Sequence, residues 1–114
     1  ATGIAKTIVS LLSHMSSAGI SDKRWGTYHY TGEPCVSWAE FANEIFGQAL
    51  DRGLLSTPPR VSVISTADYP TPAVRPANSR LDCSKLQSTF GIEPDDWKLS
   101  LGEMLIELKQ ETLR

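Results

Sequence analysis

The segment DYPTPAVRPANSRLD, residues 68–82, constrains the fold most, because prolines occupy three of its fifteen positions. Each proline fixes its own φ angle and biases the residue before it toward extended geometry. Tyr69, Thr71 and Arg75 each precede a proline, and the segment has almost no amphipathic pattern. We therefore predict that it runs extended, loses little conformational entropy when it becomes ordered, and forms a stiff mount for side chains.

Helices are predicted on both sides of this segment. Residues 2–17 place apolar side chains three or four positions apart, which is typical of a helix with one apolar face. Residues 37–51 give the clearest helix, because Ser37 and Glu40 match a capping box, and Gly53 fits its C-terminal end. The stripe of the first helix consists of Ile4, Ile8, Leu11, Leu12 and Met15.

Two further helices are predicted after the proline-rich segment. A short one begins at a cap, Asp82 or Ser84, and runs to about Phe90, where Gly91 ends it. The last one is expected from Ser100, where Glu103 completes a second capping-box pattern. Its apolar stripe consists of Leu101, Met104, Leu105 and Leu108.

Two segments favour β-structure. Residues 24–32 contain Thr, Tyr and His between two glycines, and residues 60–66 alternate valines with other residues and are rich in β-branched side chains. A strand, a helix and a strand in this order indicate a βαβ unit with parallel strands. We thus predict an α/β fold: a helix-rich lobe with a small two-stranded parallel sheet covered by helices.

Composition narrows the function. The 114 residues carry a net charge of −2 without a basic run, which argues against a nucleic-acid partner. No apolar run approaches the ~20 residues that span a bilayer, so no membrane partner is expected. Cys35 and Cys83 match no metal-binding spacing with His14 or His29, so no metal is predicted. We interpret them as reduced thiols of a cytoplasmic protein, and a disulfide between them is the alternative.

The sequence also lacks the motifs of a self-sufficient enzyme. It has no Gly-rich dinucleotide or phosphate loop, no nucleophile elbow, and no tyrosine followed four residues later by a lysine. We therefore assign no catalytic residue and no cofactor-binding residue. Because the chain starts with alanine and opens directly into a helix, we interpret it as a fragment of a longer chain.

Three residues of the proline-rich segment are candidates for ligand binding. Arg75 offers five donors in a planar fork that suits phosphate oxygens, and Asn78 offers both a donor and an acceptor. Tyr69 can stack on a ring or bond through its hydroxyl. Arg80, which is not one of the three candidates, adds a second positive charge nearby. The alternative is a rigid surface connector whose arginine pairs with a nearby carboxylate.

Three segments together resemble a known family. GTYHYTGEPCVSWAEFANEIF, ISTADYPTPAVRPANSRLDCSKLQSTFGI and DDWKLSLGEMLIEL are similar to the C-terminal part of dTDP-4-dehydrorhamnose reductases, which are extended short-chain dehydrogenase/reductases. The resemblance covers essentially the whole chain. It implies that residues 1–114 are the substrate-binding domain of such an enzyme, a fragment of the extended fold without the N-terminal Rossmann domain.

The resemblance also carries functional expectations. The full-length enzymes reduce the 4-keto group of dTDP-6-deoxy-L-lyxo-4-hexulose to give dTDP-L-rhamnose, with NADPH or NADH held by the Rossmann domain. The expected partners are therefore a dTDP-sugar, the Rossmann domain of the same polypeptide and a possible second copy in a homodimer. By position, Arg75 corresponds to an arginine that faces the diphosphate, with Asn78 beside it. The fragment alone is expected to bind no cofactor and to be inactive; the alternative is a non-catalytic protein-interaction module on the same scaffold.

Overall fold

A computed structural model describes residues 2–113. In this part of the chain the structure contains the α-helices α1 (Thr2–Met15), α2 (Trp38–Asp51), α3 (Ser84–Phe90) and α4 (Trp97–Thr112). A 3-10 turn, Thr66–Asp68, interrupts the long irregular segment between α2 and α3. The described residues form two compact units. The first unit consists of the residues up to Glu33 together with Arg80–Asp96. The second unit consists of Pro34–Ser79 together with the residues from Trp97 onward.

The predicted two-stranded sheet is wrong. Within residues 2–113 neither 24–32 nor 60–66 forms a strand, and the only β-type pairing is an isolated parallel bridge between Glu33 and Asp96. The bridge includes a hydrogen bond of 2.8 Å from the Glu33 amide to the Asp95 carbonyl. A strand needs a neighbour along its whole length, and β-propensity alone does not supply one. Since the two segments do not pair, the α/β fold class gives way to a helical one.

The first unit is built from α1, α3 and the loop after α1. Leu86 and Phe90 of α3 are buried, and the Phe90 ring meets His14 and Tyr28 edge-on, with ring centres 5.7 and 5.2 Å apart. The predicted short helix is confirmed, although its N-cap is Cys83 and neither Asp82 nor Ser84. Gly91 ends it with a φ of 67°, in the left-handed region that favours glycine. The predicted first helix is also confirmed, although much of its apolar stripe remains exposed.

The end of α1 is tied to the loop that follows it. Arg24 donates to the His14 carbonyl in the last turn of α1, over 3.3 Å, and pairs with Asp22 over 2.8 Å. The side-chain hydrogen bond from Arg24, followed by one from its backbone amide, lowers the pKa of Asp22 from 3.8 to about 2. The loop is therefore stabilised by a carboxylate that must stay ionised.

Acidification should weaken the ion pair between Arg24 and Asp22. A carboxyl whose pKa is lower in the folded chain contributes stability above its ordinary pKa, and that contribution is lost as the pH falls through the folded value. We expect the thermal midpoint, followed by far-UV circular dichroism, to fall between about pH 4 and pH 2, the window set by Asp22. Asp22→Asn should flatten part of this acid limb. An identical limb in the variant and the parent would exclude Asp22 as a contributor.

The second unit is held together by α2 and α4. The capping box predicted for α2 is confirmed: the Glu40 amide donates to Ser37 Oγ over 3.2 Å, and the Ser37 amide donates to Glu40 Oε2 over 2.7 Å. Between the two helices lies a buried cluster of Ala49, Leu101 and Leu105. Partly buried apolar side chains surround this cluster, namely Ile45, Leu54, Leu55 and Trp97.

The start of α4 differs from the prediction. The helix begins at Trp97, so Ser100 lies inside it and the capping box expected from Ser100 and Glu103 is wrong. Trp97 packs edge-on against Phe41 with ring centres 5.0 Å apart, and its Nε1 donates to the Pro34 carbonyl over 2.7 Å. These tertiary contacts favour a helix that starts earlier than the local pattern indicates.

The end of α2 follows the expected pattern. Gly53 has a φ of 68°, which a residue with a side chain rarely adopts, and the Leu54 amide donates to the Ala49 carbonyl over 2.9 Å. The Gly53 amide donates to the Leu50 carbonyl over 2.9 Å, which completes a Schellman motif. The prediction of a glycine cap after this helix is confirmed.

Gly47→Ala is expected to stabilise the protein. A Cβ at Gly47, in the middle of α2, would meet no atom within 4 Å, so the substitution gains helix propensity without a clash. We expect an increase of about 0.5–1 kcal/mol in the free energy of unfolding, measured by urea denaturation. Gly3→Ala is the matched control in α1, because its Cβ would clash with the carboxylate of Asp95 and the substitution should destabilise the protein. A loss of stability in Gly47→Ala would contradict the open space at this position.

Candidate functional site

The three residues predicted to bind substrate lie in one exposed segment of the second unit. Tyr69 directly follows the 3-10 turn, and its side chain is 69% exposed. Arg75 and Asn78 follow in the irregular stretch before α3, and both are exposed. The structure thus places all three where a ligand can reach them.

Short hydrogen bonds shape the backbone that leads to Arg75. The amide and hydroxyl of Ser65 both donate to Asp68 Oδ2, over 2.8 and 2.7 Å, and close the turn just before Tyr69. The Ser65 hydroxyl, and then the Ser65 amide, lowers the pKa of Asp68. Thr71, between two prolines, donates through its hydroxyl to the Ala73 carbonyl over 2.9 Å. Local bonds and prolines together restrict the approach to Arg75.

The Arg75 guanidinium has no hydrogen bond and no ion pair to any residue in the described range 2–113. The neighbouring Val74 is fully exposed. A purely structural connector would pair this arginine with a carboxylate, and the structure shows no such pair. The guanidinium of this exposed arginine, with its five donors, therefore has no partner within residues 2–113 that a ligand would have to displace.

A separate groove of about 500 Å³ lies on the second unit, beside α2 and the start of α4. None of Tyr69, Arg75 and Asn78 lines it. No motif in the sequence predicts this groove, although carboxylates at Glu40, Glu44 and Asp51 recur along α2 at roughly helical spacing. The side chains and backbone around it belong to Val36, Glu40, Asn43, Glu44, Gly47, Gln48, Asp51, Trp97 and Lys98.

The charges of this groove do not suit a nucleotide diphosphate. Three carboxylates face one ammonium group, that of Lys98, which lies 3.4 Å from Glu44 Oε2. Gln48 donates to Glu44 over 2.8 Å and is the main cause of its lowered pKa, with Lys98 contributing. Because the carboxylate of Glu44 is held ionised, an approaching phosphate would be repelled. The exposed segment with Arg75 remains the candidate anion-binding site.

Other site types find no support in the described residues. Within 2–113, no three His, Cys, Asp or Glu side chains group as metal ligands would. In the same range, no helix combines the length and apolar character needed to cross a bilayer. Cys35 is an exposed free thiol and Cys83 a buried one.

The sequence of the chain matches a known protein family. Residues 1–110 match the sequence model of the RmlD substrate-binding domain. The chain therefore belongs to the RmlD substrate-binding domain family, which confirms the resemblance found in its sequence.

Among curated proteins the chain is similar to several named dTDP-4-dehydrorhamnose reductase. The protein from Aggregatibacter actinomycetemcomitans is 55% identical over 78 residues, covering 68% of this chain and 26% of the relative. The one from Sinorhizobium fredii is 38% identical over 111 residues, covering 97% of this chain and 36% of the relative. The one from Escherichia coli K12 is 35% identical over 83 residues, covering 73% and 28%. The chain thus spans about a third of the length of these relatives, and no solved structure matches it significantly.

Proposed function

We propose that this chain is the nucleotide-sugar-binding part of a dTDP-4-dehydrorhamnose reductase. The match of residues 1–110 to a substrate-binding domain family carries the proposal, and the names of the relatives supply the reaction class. The full enzyme would reduce the 4-keto group of dTDP-6-deoxy-L-lyxo-4-hexulose to give dTDP-L-rhamnose.

Arg75 is proposed to bind the diphosphate of the substrate. Its guanidinium is exposed, and a planar fork of donors matches two phosphate oxygens better than a lysine does. Tyr69, before Arg75 in the chain, and Asn78, after it, are proposed to contact the same ligand. Tyr69 would use its ring or hydroxyl, and Asn78 its side-chain amide. These residues would hold the nucleotide and thereby position the sugar ring.

Hydride transfer would depend on the remainder of the enzyme. NADPH, or NADH, supplies the hydride when bound, but the residues of this chain do not fit a dinucleotide, since the sequence has no Gly-rich loop and residues 2–113 form no strand that could precede one. We assign no catalytic and no cofactor-binding residue here, and propose that the chain alone is inactive. The cytoplasmic location and a homodimer of the whole enzyme remain predictions.

A weak affinity is expected from this part alone. A hydrogen bond to a charged group contributes roughly 1.5–3 kcal/mol, and the free energy lost on association offsets part of this gain, so one or two contacts leave a Kd in the millimolar range or weaker. A non-catalytic interaction module on the same scaffold is the second candidate, and the exposed apolar side chains of α1 favour it. The reductase is the stronger proposal because all the relatives named above carry that name.

A chimeric enzyme tests the proposal. The part of the Sinorhizobium fredii reductase that aligns with this chain, 111 residues, would be replaced by the chain itself. We expect the chimera to oxidise NADPH when dTDP-6-deoxy-L-lyxo-4-hexulose is supplied, and the isolated chain to show no turnover. A folded chimera that binds NADPH but turns over none of this substrate would refute the proposed function.

A further inference from the structure

A single regular turn interrupts the long irregular segment between α2 and α3. In this described stretch, residues 52–83, the 3-10 turn Thr66–Asp68 is the only regular element. Irregular segments longer than about 12–15 residues are uncommon in compact domains, and those that are ordered usually carry function. The turn comes directly before Tyr69, one of the three residues proposed to contact the ligand. It therefore lies where it can set the direction of the Tyr69 side chain.

The carboxylate of Asp68 holds this turn closed. Its Oδ2 accepts hydrogen bonds from the amide and the hydroxyl of Ser65, over 2.8 and 2.7 Å, and the Asp68 amide donates to the Ser65 carbonyl over 3.1 Å. No residue of the turn is buried, so no core packing supports it. Hydrogen bonds to an ionised acceptor are stronger than those between neutral groups. The order of the turn thus depends on the side chain of Asp68.

The backbone of Tyr69 is restricted on both sides. Its amide donates to the Thr66 carbonyl over 3.3 Å, which ties it to the turn, and Pro70 follows it and limits its own backbone angles. The side chain is nevertheless 69% exposed, so this order does not serve a core contact. A group that is already ordered loses less conformational freedom when a ligand binds, and the binding is tighter for that reason.

We propose that Asp68 is a positioning residue that acts through Tyr69: its carboxylate closes the turn and thereby holds the tyrosine ring in place for the nucleotide sugar. This inference rests on the proposed function and adds a residue that does not itself contact the ligand. A direct effect of the Asp68 charge would have the opposite sign. A carboxylate near the site repels the diphosphate, so its removal would then tighten binding.

Initial-rate kinetics of the chimera described above test this role. We expect Asp68→Ala to raise the KM for dTDP-6-deoxy-L-lyxo-4-hexulose roughly 3–10-fold, with kcat and the KM for NADPH unchanged, because only the pre-ordering of one side chain is lost. Asp68→Asn keeps a side-chain oxygen that can accept both bonds from Ser65, so it should restore most of the affinity. The matched control is Glu103→Ala, which removes an exposed carboxylate of the same unit and should leave every constant unchanged.

A double-mutant cycle shows whether Asp68 acts through its neighbour. Once Tyr69→Ala has removed the ring, the turn has nothing left to position, so adding Asp68→Ala should change the KM no further. An effect of Asp68 on Arg75, or on the whole unit, would persist in the Tyr69→Ala background. Because the turn has no buried residue, each variant chimera should melt within about 1 °C of the parent, which confirms that it is folded.

Three results would overturn the inference. The first is an unchanged or lower KM in Asp68→Ala, and the second is a rise that persists in full in the Tyr69→Ala background. The third is an Asp68→Asn variant as impaired as Asp68→Ala, which would show that the charge and not the closed turn matters. The parent chimera decides the proposed function separately. A folded parent that binds NADPH without turnover refutes that function and the role of Asp68 with it, whereas an active parent that is insensitive to Asp68→Ala refutes only the inference.

Discussion

Leu105→Ala is expected to lower the free energy of unfolding by about 2–5 kcal/mol. Leu105 is buried in α4 and belongs to the small cluster with Ala49 and Leu101 that lies between α2 and α4. Truncation removes apolar contacts and leaves a cavity that the two helices can fill only in part. The loss should be a large fraction of the 5–15 kcal/mol by which a typical domain is stable.

Urea denaturation followed by far-UV circular dichroism measures this loss, and Met104→Ala is the matched control. Met104 is the neighbouring residue on the same helix and is about half-exposed, so its truncation should cost less than about 1 kcal/mol. If the alanine variant does not fold, the milder Leu105→Val is measured in its place, and it should show a smaller loss in the free energy of unfolding. Similar losses at positions 104 and 105 would contradict the placement of the core between α2 and α4.

Features set by neighbouring residues were predictable from the sequence. The capping box of Ser37 and Glu40 involves groups three residues apart, and the structure forms both of its hydrogen bonds. Gly53 and Gly91 were expected at helix ends because glycine tolerates positive φ, and both adopt it. In each case the geometry depends on a single turn of the chain, which the sequence displays directly.

Features that depend on distant partners were not predictable in this way. Residues 24–32 and 60–66 have strand-like composition, but a strand forms only when another segment pairs with it, and within 2–113 none does. The start of α4 at Trp97 depends on Phe41 and Pro34, more than fifty residues away. A local capping pattern at Ser100 could not reveal these contacts.

The apolar stripe of α1 shows a related limit. The spacing of its apolar residues correctly predicts a helix. Ile8 and Leu12 are nevertheless exposed, whereas the polar residue Thr7, which directly precedes Ile8, is buried. Periodicity shows which residues share a face and not whether the partner belongs to the same chain. For the candidate site, the prolines around Arg75 indicated an exposed extended segment, but no pattern in the sequence could place the ligand beside it.

Arg75→Ala should weaken nucleotide-sugar binding by roughly 10–150-fold in the chimera, the equivalent of losing 1.5–3 kcal/mol of charge-assisted hydrogen bonding. The exposed guanidinium has no partner among the described residues, so its removal disturbs no internal contact and the loss is assigned to the ligand. We expect the KM for dTDP-6-deoxy-L-lyxo-4-hexulose to rise while the KM for NADPH stays unchanged. Initial-rate kinetics with each substrate varied in turn measure both constants.

Two further arginine variants separate a specific contact from a general charge effect. Arg75→Lys keeps the positive charge but loses the planar fork, so it should restore part of the affinity and not all of it. Arg60→Ala removes an exposed arginine of the same unit and should change the KM for the sugar nucleotide less than twofold. Equal effects at positions 60 and 75 would show that only net charge matters. If Arg75→Ala instead raised the KM for NADPH alone, the proline-rich segment would contact the cofactor. The proposal that Arg75 binds the diphosphate of the sugar nucleotide would then be wrong.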